Sequence, residues 1–382
     1  MAGHVEVGGA AAAAGDDDVK KEVPQLLSVS WNQNRSCFTA ATTADFRVFR
    51  CCPFGEHLRR VHEDGGGFTV AEMLFRSNIF ATVSSSSSSS SFSSSNNNNN
   101  NNNRDHFMVK VWDDITHKCL WQRGFPTAVR SVRVSRERIA VVVDRIVRVY
   151  PLFKPTRLVC KVETTHNPRG LCCLSCRSDE TTVLACPGTV KGQVRVERLD
   201  EDTTRFIDAH SSDVACMEMT LDGTVLATAS VKGTLVRVRR GRDNAEIHSI
   251  ALSPDLRWLA VSSNKGTLHV FSLRIGAGAG QNDAADVPSA ASASLARPNT
   301  VPNARSSLSF MKGFLPNYFS SEWSFAQFHL PEATRYIVAF GEQNIVMTLG
   351  MDASFDPVKG GEKVRKEFFR FLHDKNTPDV GL

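Results

Sequence analysis

Short stretches in which an apolar residue alternates with a basic or otherwise polar one recur along the whole chain. They are Phe46-Arg-Val-Phe49, Val109-Lys-Val-Trp112, Val147-Arg-Val-Tyr150, Val194-Arg-Val-Glu197, Val236-Arg-Val-Arg239 and Leu268-His-Val-Phe271. A period of two predicts β-strands. The last valines of these stretches lie 63, 38, 47, 42 and 32 residues apart. WD-type propeller blades, each of four strands, recur every ~40–45 residues, so the intervals of 38, 47 and 42 fit such a blade directly.

The flanks of these stretches repeat as well. The run from Asp222 to Leu235 reads Asp-Gly-Thr-Val-Leu-Ala-Thr-Ala-Ser-Val-Lys-Gly-Thr-Leu. It returns 33 residues later, at Asp255, as Asp-Leu-Arg-Trp-Leu-Ala-Val-Ser-Ser-Asn-Lys-Gly-Thr-Leu. A degenerate copy runs from Leu184 to Gly192, with its Lys-Gly pair 41 residues ahead of that of the Asp222 copy.

The two intervals that do not fit have separate causes. The interval of 63 contains Ser84 to Ser95, broken only by Phe92, and then Asn96 to Asn103. Such a polar tract buries too little apolar surface to offset its ordering entropy, so 84–105 is expected to be a disordered insertion between two strands of the second blade. The interval of 32 is about ten residues short, roughly one strand and its turn, which predicts that the fifth blade lacks its outer strand between Val238 and Arg239.

Composition agrees with one large all-β domain: helical patterns are scarce and no apolar run reaches the ~18 residues of a membrane-spanning helix. Residues 1–22 read as a disordered tail, 23–373 as the propeller and 374–382 as a second tail. The first 20 residues lack a basic start followed by an apolar core, so a cytoplasmic protein without a secretory leader is expected. Cys173 and Cys176 are spaced as C-x-x-C, but no second pair or suitably spaced histidine follows. Buried thiols are therefore expected rather than a metal site, and no cofactor is implied. A net charge of +5 without a basic aromatic stripe argues against nucleic acid. His210, His248, His269 and His329 have no nucleophile or paired carboxylate at a catalytic spacing, so no enzyme is expected.

The chemistry that remains centres on Arg239 and Arg240, which end a strand-like run just before Gly241. Neighbouring side chains on a strand point to opposite faces, so the two guanidinium groups serve different pockets. Each is a planar, permanently charged fork suited to phosphate, although paired arginines on an edge often do no more than keep it soluble. The segment Arg239-Arg-Gly-Arg-Asp-Asn-Ala-Glu-Ile-His-Ser-Ile250, followed by Leu259 to Phe271, resembles the PROPPIN (WIPI) family of polyphosphoinositide-binding propellers. The similarity extends to Leu26–Phe54, Val109–Asp114, Asn167–Glu197 and Ser306–Gly350.

The resemblance implies a seven-bladed propeller with two headgroup sites on its rim. The first would use His210, Ser212, Thr228, Ser230, Lys232, Thr234, Arg237 and Arg239; the second, Arg240, His248, Ser262, Ser263, Lys265 and Thr267. It also implies that the loop 274–320 of the sixth blade, flexible up to Ala304, dips into the bilayer through Phe310, Met311, Phe314, Leu315, Tyr318 and Phe319. A further short strand expected near Met351-Asp-Ala-Ser-Phe355 is missing, so the seventh blade reads as shortened. The implied function is that of a monomeric effector in autophagosome formation. It would read phosphatidylinositol 3-phosphate or phosphatidylinositol 3,5-bisphosphate on preautophagosomal, endosomal or vacuolar membranes, and recruit an autophagy lipid-transfer protein. The alternative is a WD-type protein scaffold that has lost lipid affinity through the short fifth blade.

Overall fold

In the computed structural model the strands of this chain are buried more thoroughly than their alternation predicts. The structure describes residues 24–62, 66–86, 106–153, 157–176, 181–232, 245–273, 324–330, 334–342, 345–359, 364–365 and 369–372. Over these residues the strands form seven sheets in chain order, spanning 26–61, 68–125, 129–163, 173–208, 214–230, 247–329 and 336–370. Within each sheet consecutive strands are antiparallel neighbours, save that Phe369–Arg370 also pairs with Ser354–Lys359 in the last. Six sheets have four or five strands and make complete blades of a β-propeller. The fifth has two among the described residues, Val214–Met219 and Leu226–Ser230.

Five of the six alternating stretches fall on the third strand of a sheet: Asp45–Cys51, His106–Asp113, Ile146–Pro151, Gln193–Arg198 and Thr267–Ser272. The sixth, 236–239, lies outside the described residues. Sheets on either side cover both faces of such strands, so their polar positions need local partners. Arg47 and Asp45 are both almost fully buried and pair at 3.0 Å. Arg195 pairs with Glu197, and the Arg148 guanidinium sits 5.8 Å from the centre of the Phe125 ring.

Apolar clusters fill the junctions between successive sheets. Phe46, Phe68 and Phe80 join the first to the second, and Trp121, Ile139 and Tyr150 join the second to the third. Val149, Leu174 and Leu184 join the third to the fourth, Ile247 and Phe271 belong to the cluster joining the fifth to the sixth, and Leu268, Tyr336 and Val338 join the sixth to the seventh. Trp31, Phe38 and Phe49 of the first sheet pack with Leu349, Phe355 and Phe371 at the seventh, which closes the ring. Each of these two sheets is built from its own end of the chain, so closure rests on aromatic packing, with Phe54 4.9 Å from Phe355 and 4.4 Å from Phe369. The fourth and fifth sheets differ. Between Val196, Arg205 and Ile207 on one side and Met219 and Leu226 on the other is a cleft of about 1380 Å³. The first strands of all seven sheets line a central cavity of about 560 Å³.

Three placements bear on the expectations above. Ser84, Ser85 and Ser86, read as the start of the polar insertion, continue the strand Ile79–Ser86 and pair with Met108, Phe107 and His106. Ladder bonds come from the backbone, so serine carries them as well as an apolar residue does. Residues 87–105, which follow, lie outside the described residues. The seventh sheet is not short of strands: it has five, and what is brief is the turn Met351–Ala353 joining Ile345–Gly350 to Ser354–Lys359, with Ala353 at φ 64°. The segment 233–244, on which the fifth-blade expectation falls, lies outside the described residues, as do the two tails at 1–22 and 374–382.

Among the described residues no helix is long and apolar enough to cross a membrane. All ten cysteines are unpaired with one another, and burial pushes the Cys176 thiol up to about 12 and the Cys173 thiol well above its ordinary value.

Candidate anion-binding rim

The first group of sequence-predicted residues assembles where the fourth sheet hands over to the fifth. His210 and Ser212 lie on the link after the strand Thr203–Asp208; Thr228 and Ser230 lie on the strand Leu226–Ser230, and Lys232 just beyond it. The His210 Nε2 and Thr228 Oγ1 are 3.0 Å apart, and the Val231 N–H donates to the Asp213 carbonyl at 2.9 Å, which ties the strand end to the link. Ser212 is buried with its hydroxyl unpartnered among the described residues. Lys232 is exposed beside them. Burial pushes His210 below its ordinary pKa, which leaves it neutral near pH 7 and able to accept or donate one hydrogen bond. The backbone geometry depends on Gly192. Its φ is +75°, its carbonyl accepts from the His210 N–H at 3.0 Å, and a Cβ there would stand 1.8 Å from the His210 carbonyl oxygen.

The second group gathers on the sixth sheet, where the turn 264–266 joins Trp258–Ser263 to Thr267–Ser272. The Ser263 and Thr267 hydroxyls are 3.5 Å apart, and the Ser263 hydroxyl also accepts from the Lys265 N–H at 3.4 Å. Lys265 is exposed at the tip of that turn. Two members depart from this arrangement. Ser262 is fully buried and its hydroxyl donates to the Tyr336 carbonyl at 2.7 Å, so it fastens the seventh sheet to the sixth. His248 sits in an irregularity between Ile247 and Ser249 and is among the residues that line the central cavity. The extra residue of a bulge re-aims side chains, which spacing in sequence does not register.

Two residues that sequence reasoning passed over belong with these groups. His269 is 4% exposed; its Nε2 is 3.1 Å from the Thr267 hydroxyl and its Nδ1 3.2 Å from that of Ser324. Its place in the Leu-His-Val-Phe stretch marked it as strand, while Ser324, 55 positions away, is brought in only by the fold. Lys191 is exposed and 3.8 Å from Asp213, next to the first group. Its signal was present: Lys191, Lys232 and Lys265 each precede a glycine in the repeated segment. The repeat thus sets an exposed ammonium at the same position of the fourth, fifth and sixth sheets. Thr234, Arg237, Arg239 and Arg240, and Phe310, Met311, Phe314, Leu315, Tyr318 and Phe319 of the 274–320 loop, lie outside the described residues.

Fold and rim together define a β-propeller that presents lysines, hydroxyls and imidazoles along one arc of its edge. A sequence model of the PROPPIN family matches residues 25–298, and the chain belongs to that family. It is 40% identical over 389 aligned positions to autophagy-related protein 18e of Arabidopsis thaliana, covering 96% of this chain and 94% of the relative. It is 30% identical to autophagy-related protein 18 of Dictyostelium discoideum, with 93% and 96% covered. Among solved structures, Kluyveromyces lactis Hsv2 has the same fold at 20% identity, with a TM-score of 0.62 over 91% of this chain and 99% of that one.

Proposed function

We propose that this protein is a peripheral membrane effector in autophagosome formation that binds phosphatidylinositol 3-phosphate and phosphatidylinositol 3,5-bisphosphate through two rim sites of a seven-bladed ring. The observation that carries this reading is that two groups of phosphate-suited side chains bracket the arginine segment 233–244 in the chain. His210, Thr228, Ser230 and Lys232 precede it, and Ser263, Lys265, Thr267 and His269 follow it. Arg239 would complete the first group and Arg240 the second, with Ser212, Thr234 and Arg237 around the former. Hydroxyl and ammonium donors supply directed hydrogen bonds to phosphate oxygens, and a guanidinium adds a bidentate one. The loop 274–320 would add shallow insertion by its aromatic residues, since one weak anchor seldom holds a protein on a membrane. Family membership and the name of the Arabidopsis relative support the autophagic setting, and recruitment of a lipid-transfer protein would follow from docking there.

Flotation with vesicles tests this reading. Wild type is expected to float with vesicles carrying either 3-phosphorylated lipid and not with neutral vesicles, and the variant Arg239→Thr/Arg240→Thr to stay behind. Flotation should weaken as salt is raised, because the Debye length shrinks to about 3 Å at 1 M. Equal flotation of both proteins would overturn the proposal. Absence of binding by a folded wild type would favour the scaffold reading.

A further inference from the structure

Charged side chains also line the central cavity, and most are balanced. Arg133 pairs with Glu72 at 3.1 Å, Arg35 pairs with Glu218, and Arg130 faces Asp144 at 3.7 Å. The wall made by the fourth, sixth and seventh sheets is different. Arg169 pairs with Glu246 and donates to the Ala215 carbonyl at 3.2 Å. Arg335, just before the strand Tyr336–Phe340, accepts from the Met351 N–H at 3.0 Å through its carbonyl, while its guanidinium has no ion pair or hydrogen bond among the described residues. His248 lines the same wall, and its Nδ1 is buried and has no hydrogen-bond partner among the described residues. The Ser249 hydroxyl accepts from the Val338 N–H at 3.2 Å, which ties the strand that carries His248 to the strand that Arg335 precedes.

We propose that Arg169, His248 and Arg335 form an anion site inside the cavity, separate from the rim, that takes a phosphate or phosphomonoester group. Two guanidinium groups against one carboxylate leave a fixed positive charge, and guanidinium forks match phosphate oxygens in pairs. His248 is held below its ordinary pKa first by burial and then by Arg335, with Glu246 pulling the other way and Arg169 adding a smaller push in the same direction as Arg335. The nearby Cys216 thiol is pushed up to about 12 and stays protonated. A bound anion would reverse that field, so His248 would take up a proton on binding and the anion would bind more tightly at lower pH. The phosphate could be that of a soluble compound or of a lipid headgroup reaching into the cavity.

The test uses the full chain, with pyrophosphate as the soluble probe and phosphatidylinositol 3-phosphate vesicles as the lipid one. Pyrophosphate is expected to raise the melting temperature of wild type, more at pH 6 than at pH 8, and to do the same for Lys265→Ala on the rim. Arg335→Ala should show a smaller response, reduced to what the rim sites contribute, while melting no lower than wild type in phosphate-free buffer, because it removes a like charge beside Arg169. In His248→Gln the response should persist without its pH dependence. If Arg335→Ala still floats with the lipid vesicles, the source is a soluble phosphate; if it loses flotation too, the source is the headgroup. An equal pyrophosphate response in wild type and Arg335→Ala would overturn the site. So would a response lost in Lys265→Ala and kept in Arg335→Ala, or an unaltered pH dependence in His248→Gln.

Discussion

At the scale of single residues, the rim shows one position of a repeat used three times. Lys191, Lys232 and Lys265 are exposed at turn positions that follow a strand, and hydroxyls near the latter two are held by hydrogen bonds, Thr228 with His210 and Ser263 with the Lys265 N–H. A charge-assisted contact contributes roughly 1.5–3 kcal/mol, so Lys265→Ala is expected to weaken vesicle binding about tenfold or more in a flotation titration, with the melting temperature unchanged. The histidines make a separate prediction about stability. His210 and His248 are both held below their ordinary value, chiefly by burial. The unfolded chain therefore binds their protons more readily, and the stability they contribute is present above about pH 6.5 and lost as pH falls through their lower folded values. A thermal melt in phosphate-free buffer should show this fall below pH 6.5, and the variant His210→Gln/His248→Gln should show a shallower one. Of these residues, the lysines were legible from the repeat. The contacts of His269 and the irregularity at His248 were not, because one depends on a partner 55 positions away and the other on a register shift in the strand pairing.

At the scale of the strand, alternation identified the element but not its surroundings. Asp45–Cys51 reads as a strand with one face polar, yet its first five residues are all buried, Arg47 included. The cost of that burial is offset locally, where Asp45 accepts from the Arg47 Nε of its own strand and from the hydroxyl of Thr42, the last residue of the preceding strand, at 2.7 Å. Removing one partner of such a pair leaves an uncompensated buried charge. Asp45→Ala should therefore lower unfolding free energy by about 3–5 kcal/mol in urea, and Asp45→Leu/Arg47→Met should recover much of that loss. A wild-type urea midpoint for Asp45→Ala would refute the account. The same logic explains why the basic residues of the alternating stretches at Arg148 and Arg195 are occupied in packing and pairing, and are not part of the rim.

At the scale of the molecule, the ring is held by apolar junctions between neighbouring sheets, and the one joining the two ends of the chain is aromatic. Phe355 is fully buried against Phe38 at 5.7 Å and Phe54 at 4.9 Å. Phe→Ala in a packed core costs about 3–5 kcal/mol, so Phe355→Ala should unfold at a markedly lower denaturant concentration. Because it closes the ring, the same change should also speed hydrogen exchange in both the first and seventh sheets. Protection lost only in the seventh would mean that the junction does not couple the two ends. The fourth and fifth sheets are instead separated by a cleft that Val196, Ile207 and Leu226 line.

The sequence by itself determined the strands, their grouping into blades and the recurring lysine turns, since each follows from periodicity and from a copied segment. Tertiary structure alone decided which polar residues face the rim, which bind neighbouring sheets and which look into the central cavity. Ser262 and Ser263 are adjacent in the chain, yet one fastens the seventh sheet and the other joins the turn hydroxyls. A strand alternates its sides regularly, but what each side meets is set by the adjacent sheet, and that neighbour is supplied by residues far away in the chain.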